Sequence, residues 1–183
     1  DFANSLAVLR NAGIKRTALW TPMINSCGIS EAKRIWDSAG MTAESLCVAC
    51  LFEDEALLRE QLDLSDMFGA RTLVIITGGF EALKSAGHDG DIDYARSLLV
   101  ERLALAAELA DSYRVRLAFE PLHPMVCGFR SIVSTLQESL DILDQMDDSH
   151  DIGLAIDTYA LWWEHDLQEK LKRAGNRILN YHV

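Results

Sequence analysis

The chain has 183 residues, a formal net charge of −11 and 49% hydrophobic residues, which is typical of a folded globular protein and excludes a disordered one. Acidic residues outnumber basic ones by 28 to 17, so a phosphate backbone is repelled and we expect no nucleic-acid binding. No apolar run reaches the roughly 18–20 residues that cross a bilayer, and Asp1–Ser5 lack a basic leader segment. We therefore expect no membrane association and a cytoplasmic location.

The four cysteines include one close pair, Cys47 and Cys50, with the spacing C-x-x-C. The pair lies in the apolar run Leu46–Phe52, where a strand would point positions three apart to opposite faces. One metal ion is not easily held by such a pair, so we expect buried reduced thiols rather than a zinc or redox site.

Along the chain, helix-like stretches that end in a small residue and glycine alternate with strand-like runs. The first three such glycines, Gly13, Gly40 and Gly69, are spaced by about 30 residues, which is the length of one βα unit. The strand-like runs are short and continuously apolar, as expected of parallel strands that are buried on both faces. The predicted strands are Thr17–Trp20, Ser45–Phe52, Thr72–Thr77, Val115–Phe119, Gly153–Ile156 and Ile178–Val183.

Alternating strands and helices indicate an α/β fold, either an open doubly wound sheet or a closed eight-stranded barrel. A complete barrel takes about 250 residues, so we expect residues 1–183 to form one partial TIM (β/α)8-type barrel domain that lacks its first strand and its last units. The alternative is a complete six-stranded open sheet, although its first βα turn has no G-x-G-x-x-G motif. Since an open barrel exposes strand edges, we expect a longer natural chain, disorder at the ends, or a homo-oligomer that covers the edge.

Polar residues follow several predicted strands, where both architectures place their functional sites. They are Thr77, Glu120, Asp157 and His182. A carboxylate at the end of an apolar strand is costly to desolvate unless it meets a cation. Glu120, Asp157 and His182 together predict a divalent metal site with oxygen and nitrogen ligands, although each residue alone is also explained as a helix cap or rim residue.

Four motifs carry a resemblance to a known family: Phe119–Met125, Gly128–Ser131, Asp157–Trp163 and Tyr181–Val183. They resemble the sugar phosphate isomerase/epimerase group of the xylose-isomerase-like TIM-barrel superfamily, which also includes the family 2 apurinic endonucleases. The resemblance implies a barrel whose single divalent ion is manganese, magnesium or cobalt, with zinc as the alternative. It implies a metal-dependent isomerase or epimerase of a sugar or sugar phosphate that works through an enediolate.

Carried onto this sequence, the resemblance makes Glu120, Asp157 and His182 the metal ligands and Glu120 also the catalytic carboxylate. His123 and Arg130 would be polar rim groups that bind substrate hydroxyls or a phosphate, with a plain salt bridge as the alternative role of Arg130. Trp162 is a candidate wall of the sugar pocket, because an indole ring stacks on the apolar face of a sugar, and core or rim packing is the alternative role.

Two departures from the family pattern bear on activity. The family usually has a histidine three residues after the aspartate ligand, and Ala160 stands at that position. The fourth ligand, a glutamate of the eighth strand, has no counterpart within the 183 residues. These departures keep open a degenerate, non-catalytic barrel or binding subunit. An apurinic endonuclease is the least favoured interpretation, because the chain is acidic and its histidines are scattered.

Overall fold

The computed structural model describes residues 1–85, 87, 92–147 and 149–183, and His88 lies outside this part of the chain. The strands are β1 (Arg16–Trp20), β2 (Thr42–Cys50), β3 (Thr72–Ile76), β4 (Arg116–Phe119), β5 (Ile152–Asp157) and β6 (Ile178–His182). The helices are α1 (Phe2–Asn11), α2 (Thr21–Cys27), α3 (Ile29–Ala39), α4 (Glu55–Phe68), α5 (Phe80–Ser85), α6 (Ile92–Tyr113), α7 (Leu136–Leu143), α8 (Thr158–Leu161) and α9 (Leu167–Ala174). Short 3-10 turns lie at Pro124–Val126 and Gly175–Arg177.

The strand order decides between the two predicted architectures. All six strands pair in parallel and lie in chain order, β1-β2-β3-β4-β5-β6. A doubly wound sheet reverses its order at a switch point, whereas a barrel does not. The sheet also curls. Asn180 Nδ2 of β6 lies only 2.7 Å from Ser45 Oγ of β2, although three strands separate β6 from β2 in the sheet. The fold is therefore a curled half-barrel, as the sequence predicted.

The predicted strand positions are confirmed, with a shift at β2. This strand begins at Thr42 rather than Ser45, because its polar first residues pair with β1 and Glu44 accepts hydrogen bonds from Arg16. It ends at Cys50, although the next two backbone N–H groups still donate to β3 and to the turn after it. Alternation of polar and apolar residues at an exposed strand start is easily mistaken for a loop, which explains the late predicted boundary.

Two layers of buried side chains hold the half-barrel together. The outer layer lies between the strands and the helices and contains Leu73 and Leu117 of the sheet and Leu99 of α6, all fully buried. The inner layer is made of small or slender side chains, Val74, Ala118 and Ala155 among them. Small residues suit the inside of a curled sheet, where side chains from several strands converge on a narrow space.

The helix ends show why the chain returns to the sheet at regular intervals. The Asp54 carboxylate caps α4 by accepting from the N–H of Ala56 at 2.8 Å. The helix stops at Gly69, whose φ of +76° is a left-handed conformation that side chains resist. Gly40 ends α3 in the same way, with a φ of +62°. These stops place β2 and β3 directly after their helices.

Within the described residues, no helix has both the length and the apolar character that a membrane span requires.

Candidate metal centre

The residues predicted as metal ligands stand at three strand ends. Glu120 follows β4 directly, and its backbone N–H donates to the carbonyl of Ile75 in β3 at 2.9 Å. Asp157 is the last residue of β5 and His182 is the last residue of β6. These two residues are also register partners in the parallel pair β5–β6. The sheet itself therefore fixes where the three side chains start.

The structure brings the three side chains together. One ligand atom from each of Glu120, Asp157 and His182 lies within 4.8 Å of the other two. The Nδ1 of His182 is 3.0 Å from Oε1 of Glu120. Two carboxylates and one imidazole form a mixed oxygen and nitrogen donor set, which suits manganese, magnesium, cobalt or zinc. The residues present thus fit a divalent cation.

The carboxylates of Glu120 and Asp157 have different hydrogen-bond partners within the protein. The Glu120 side chain is 9% exposed and meets no lysine or arginine among the described residues, so His182 is its charge partner. Asp157 uses Oδ1 to accept from the N–H of Tyr159 at 2.7 Å, which caps α8. The predicted cap is therefore present, and it leaves the second carboxylate oxygen of Asp157 for another ligand.

The side chains of Cys47 and Glu120 contact opposite sides of the His182 ring and change its pKa. Its contact with the Cys47 sulfur and then its hydrogen bond to Glu120 raise the pKa of His182 to about 10, while burial acts in the opposite direction. Protonated, the ring neutralises the buried Glu120 carboxylate. A divalent cation held by the same side chains would take over that role.

Three residues that the sequence did not assign to the site lie beyond the far nitrogen of His182. Asn180 Nδ2 is 3.1 Å and Cys47 Sγ is 3.7 Å from His182 Nε2. Asn180 also contacts Ser45, which is fully buried. Asn180 shares a strand face with His182 by the two-residue period, so that neighbour was predictable. Cys47 and Ser45 belong to β2, and their proximity follows from the curl of the sheet.

Glu120, Asp157 and His182 open onto a cavity of about 670 Å³. Arg130 lines the same cavity, and no acidic partner for its guanidinium is found in the described ranges. This volume lies in the range of small-molecule sites. The other lining groups come from α1 and the turn after it, from the length of β1, from inside β2, from β6 with the residue that follows it, and from Leu122 after β4.

His123 and Trp162, the other predicted substrate-binding residues, do not line this cavity. His123 accepts from the N–H of Met125 through Nδ1 at 3.2 Å and starts the 3-10 turn after β4. Its ring also lies 5.2 Å from that of Tyr159. Trp162 is 70% exposed. Their role toward a substrate stays a prediction.

The loop that carries Arg130 is fastened to the end of β3 by Thr77. The buried Thr77 Oγ1 accepts from the N–H of Ile132 at 2.8 Å and lies 3.0 Å from Ser131 Oγ. Gly79 lies against this loop so closely that a Cβ there would come within 2.2 Å of the Phe129 carbonyl. Thr77 and the turn at Gly79 thus serve to hold the loop in place.

Residues 29–183 match the family model described as xylose isomerase-like TIM barrel. The chain belongs to this family. A sequence search of curated proteins gives no match.

Solved structures of several other proteins share the fold. A protein of Sinorhizobium meliloti 1021 is 33% identical, with a TM-score of 0.84 over 100% of this chain and 68% of its own. The 3-keto-D-glucoside 4-epimerase from E. coli is 14% identical, with a TM-score of 0.76 over 100% of this chain and 73% of its own. The IolI protein, whose structure holds a zinc atom, is 16% identical, with a TM-score of 0.73 over 99% of this chain and 66% of its own.

Position 160, where the xylose isomerase-like resemblance implies a histidine, faces away from the cavity. Ala160 is 2% exposed and belongs to an apolar cluster with Leu136, Leu140 and Leu154. Its carbonyl accepts from the Trp163 indole N–H at 2.6 Å. This position therefore packs α8 against β5 and α7 in this chain.

Proposed function

We propose that this protein is a divalent-metal-dependent isomerase or epimerase that acts on a sugar or sugar phosphate. The observation that carries the proposal is the convergence of Glu120, Asp157 and His182 within 4.8 Å, at the carboxyl ends of three parallel strands. The place is the one where barrel enzymes hold their chemistry. A sugar epimerase among the structurally similar proteins supports the substrate class.

The reaction class needs a group that removes a proton beside a carbonyl. A bound divalent ion supplies Lewis-acid stabilisation of the negative charge that develops as an enediolate. Glu120 is the proposed base: its Oε1 is engaged by His182, and its Oε2 has no hydrogen-bond partner within the described ranges. The carboxylate is buried, and a base acts efficiently when it is held within hydrogen-bond reach of the proton that it removes.

Arg130 is the proposed contact for the far end of the substrate. Its guanidinium lines the cavity that the metal-ligand residues share, and a guanidinium binds phosphate oxygens in a bidentate manner. We also assign His123 and Trp162 to the rim, as contacts of sugar hydroxyls and of an apolar sugar face.

A non-catalytic binding subunit is the second candidate. It is favoured by the Glu120–His182 pair, because two side chains that neutralise each other do not require an ion. An apurinic endonuclease finds less support, since the chain carries a net charge of −11. Cleavage of a duplex with an abasic site would support that reaction instead.

The test is proton exchange, which detects the reaction whichever sugar it forms. The Mn²⁺-loaded protein is incubated in D₂O with ketoses and aldoses, free and phosphorylated, and deuterium at the carbon beside the carbonyl is measured by mass spectrometry. We expect exchange with at least one sugar, and a loss of roughly 100-fold or more in Glu120→Gln. Glu101→Gln, an exposed position of α6, is the matched control and should behave as the parent. Absence of exchange in a protein that holds its metal would favour the binding subunit.

A further inference from the structure

The imidazole of His182 is held from both of its nitrogens. On one side Nδ1 faces Glu120 at 3.0 Å. On the other side Nε2 faces Asn180 Nδ2 at 3.1 Å and Cys47 Sγ at 3.7 Å. A histidine ligand needs such a partner on its outer nitrogen, because that contact orients the ring and tunes its basicity.

Asn180 is itself fixed at both ends of its amide. Its Oδ1 accepts from the N–H of Tyr181 at 2.9 Å, and its Nδ2 lies 2.7 Å from Ser45 Oγ. Ser45 is fully buried in β2, on the opposite wall of the half-barrel. The amide is therefore tied to a strand that pairs with β1 and β3 and not with β6.

The Asn180 amide can support the His182 ring with or without an ion on Nδ1. In the structure Nδ2 faces Nε2, so an unprotonated Nε2 can accept from it while Nδ1 faces Glu120. With an ion on Nδ1 the hydrogen lies on Nε2, and the amide then turns over so that Oδ1 accepts from Nε2, which gives up the contact of Oδ1 with the Tyr181 N–H. The Ser45 hydroxyl both donates and accepts, so it can bond either end of the amide.

We propose that Asn180, anchored on Ser45 across the barrel, is a positioning residue that holds the His182 ring with Nδ1 toward Glu120 and Asp157. This inference rests on the proposed function for its consequence, because Nδ1 is then the nitrogen offered to the metal. Asn180 lines the same cavity as the proposed ligands, and in this role it acts through His182 rather than on the substrate.

The test compares Asn180→Leu, Asn180→Asp and Ser45→Ala with the parent by Mn²⁺ titration and by the visible spectrum of the Co²⁺ form. We expect Asn180→Leu to weaken Mn²⁺ binding by about 10- to 100-fold and to change the Co²⁺ bands. Asn180→Asp should retain binding, because a carboxylate can accept from the Nε2 hydrogen that the ring carries when an ion occupies Nδ1, and Ser45→Ala should fall between. Asn25→Leu, at an exposed site of α2, is the matched control, and circular dichroism confirms folding of each variant.

A second readout does not depend on the metal. In ion-free protein, nuclear Overhauser contacts between the His182 ring and the Glu120 side chain should be strong in the parent and weak in Asn180→Leu. Equal contacts in both proteins would overturn the positioning role, whatever the metal data show.

If the parent binds Mn²⁺ and Asn180→Leu binds it equally, with unchanged Co²⁺ bands, the positioning role fails while the proposed function stands. If the parent binds no ion but the ring contacts differ as expected, the metal proposal fails while the positioning role stands.

Discussion

His182 Nδ1 lies 3.0 Å from Glu120 Oε1, although 62 residues separate them along the chain. Their strands are not neighbours, because β5 lies between β4 and β6. Side chains two strands apart meet only where a curled sheet turns them toward a common axis. The pair is thus a product of the barrel, and Asp157 at the end of the intervening strand completes the group.

Arg130 should govern affinity for charged substrates. Replacing it by glutamine removes a cation that lines the cavity without touching the proposed ligands. We expect Arg130→Gln to raise KM for phosphorylated sugars by roughly tenfold or more, in keeping with a lost charge-assisted hydrogen bond, and to leave metal content unchanged. Steady-state kinetics with phosphorylated and free forms of one sugar measure this. An equal change for both forms would contradict a role in phosphate binding.

Ala160→His should cost stability and should not improve activity. The side chain is 2% exposed among leucines, so an imidazole has no room and no polar partner there. Overpacking of this kind destabilises a protein by about 1–3 kcal/mol. Urea denaturation gives the change, and Ala3→His on the exposed face of α1 is the control. A gain in isomerase activity without loss of stability would show that position 160 reaches the substrate after all.

Glu164 should be a structural carboxylate. It is 7% exposed and accepts from the N–H groups of Leu136 at 2.7 Å and Gln137 at 3.1 Å, which start α7. It also pairs with Lys170 at 2.9 Å. We expect Glu164→Ala to destabilise the fold by about 1–3 kcal/mol, since buried donors lose their acceptor. In denaturant titrations Glu55→Ala, at an exposed carboxylate, should change stability far less, and equal losses would contradict the prediction.

Acid should loosen the contact between α7 and α9. Hydrogen bonds from Gln137 and then Arg173 hold the pKa of Asp141 below its usual range, and those from Arg177 and then Arg173 do the same for Asp144. A lowered carboxyl pKa in the folded state adds stability above the unfolded pKa of about 3.9, and that stability is lost as pH falls through the folded value.

The effect is small, because the side chains of Asp141 and Asp144 are about half exposed and solvent screens them. Thermal denaturation between about pH 5 and pH 2 should show a shallower loss of Tm in Arg173→Gln than in the parent. Identical slopes would argue that these ion pairs contribute nothing to acid sensitivity.

The sequence predicted the strands, because apolar runs indicate buried strands. It also predicted where Glu120, Asp157 and His182 lie, because the carboxyl ends of parallel strands meet at the same edge of the sheet. Ser45 and Cys47 were not assigned to the site, since their contacts depend on how far the sheet curls. Asn180 was overlooked, although its two-residue spacing from His182 places it on the same strand face. His123 and Trp162 were interpreted as rim residues from a motif, but the direction of a loop side chain is set by tertiary contacts such as those with Met125 and Tyr159. Strand order was likewise open until the pairing of β1 through β6 was known.

The most direct test of the metal centre is the metal content per chain after dialysis, measured by elemental analysis in the parent and in Asp157→Asn. Asp157 keeps its capping contact as asparagine but loses its charge, so the fold should survive while the ion is lost. Asp166→Asn is the matched control, because Asp166 is exposed and its positive φ suits asparagine. We expect about one manganese, cobalt or zinc per chain in the parent and the control and none in Asp157→Asn. Absence of metal from all three proteins, or equal metal in all three, would contradict a metal centre at these residues.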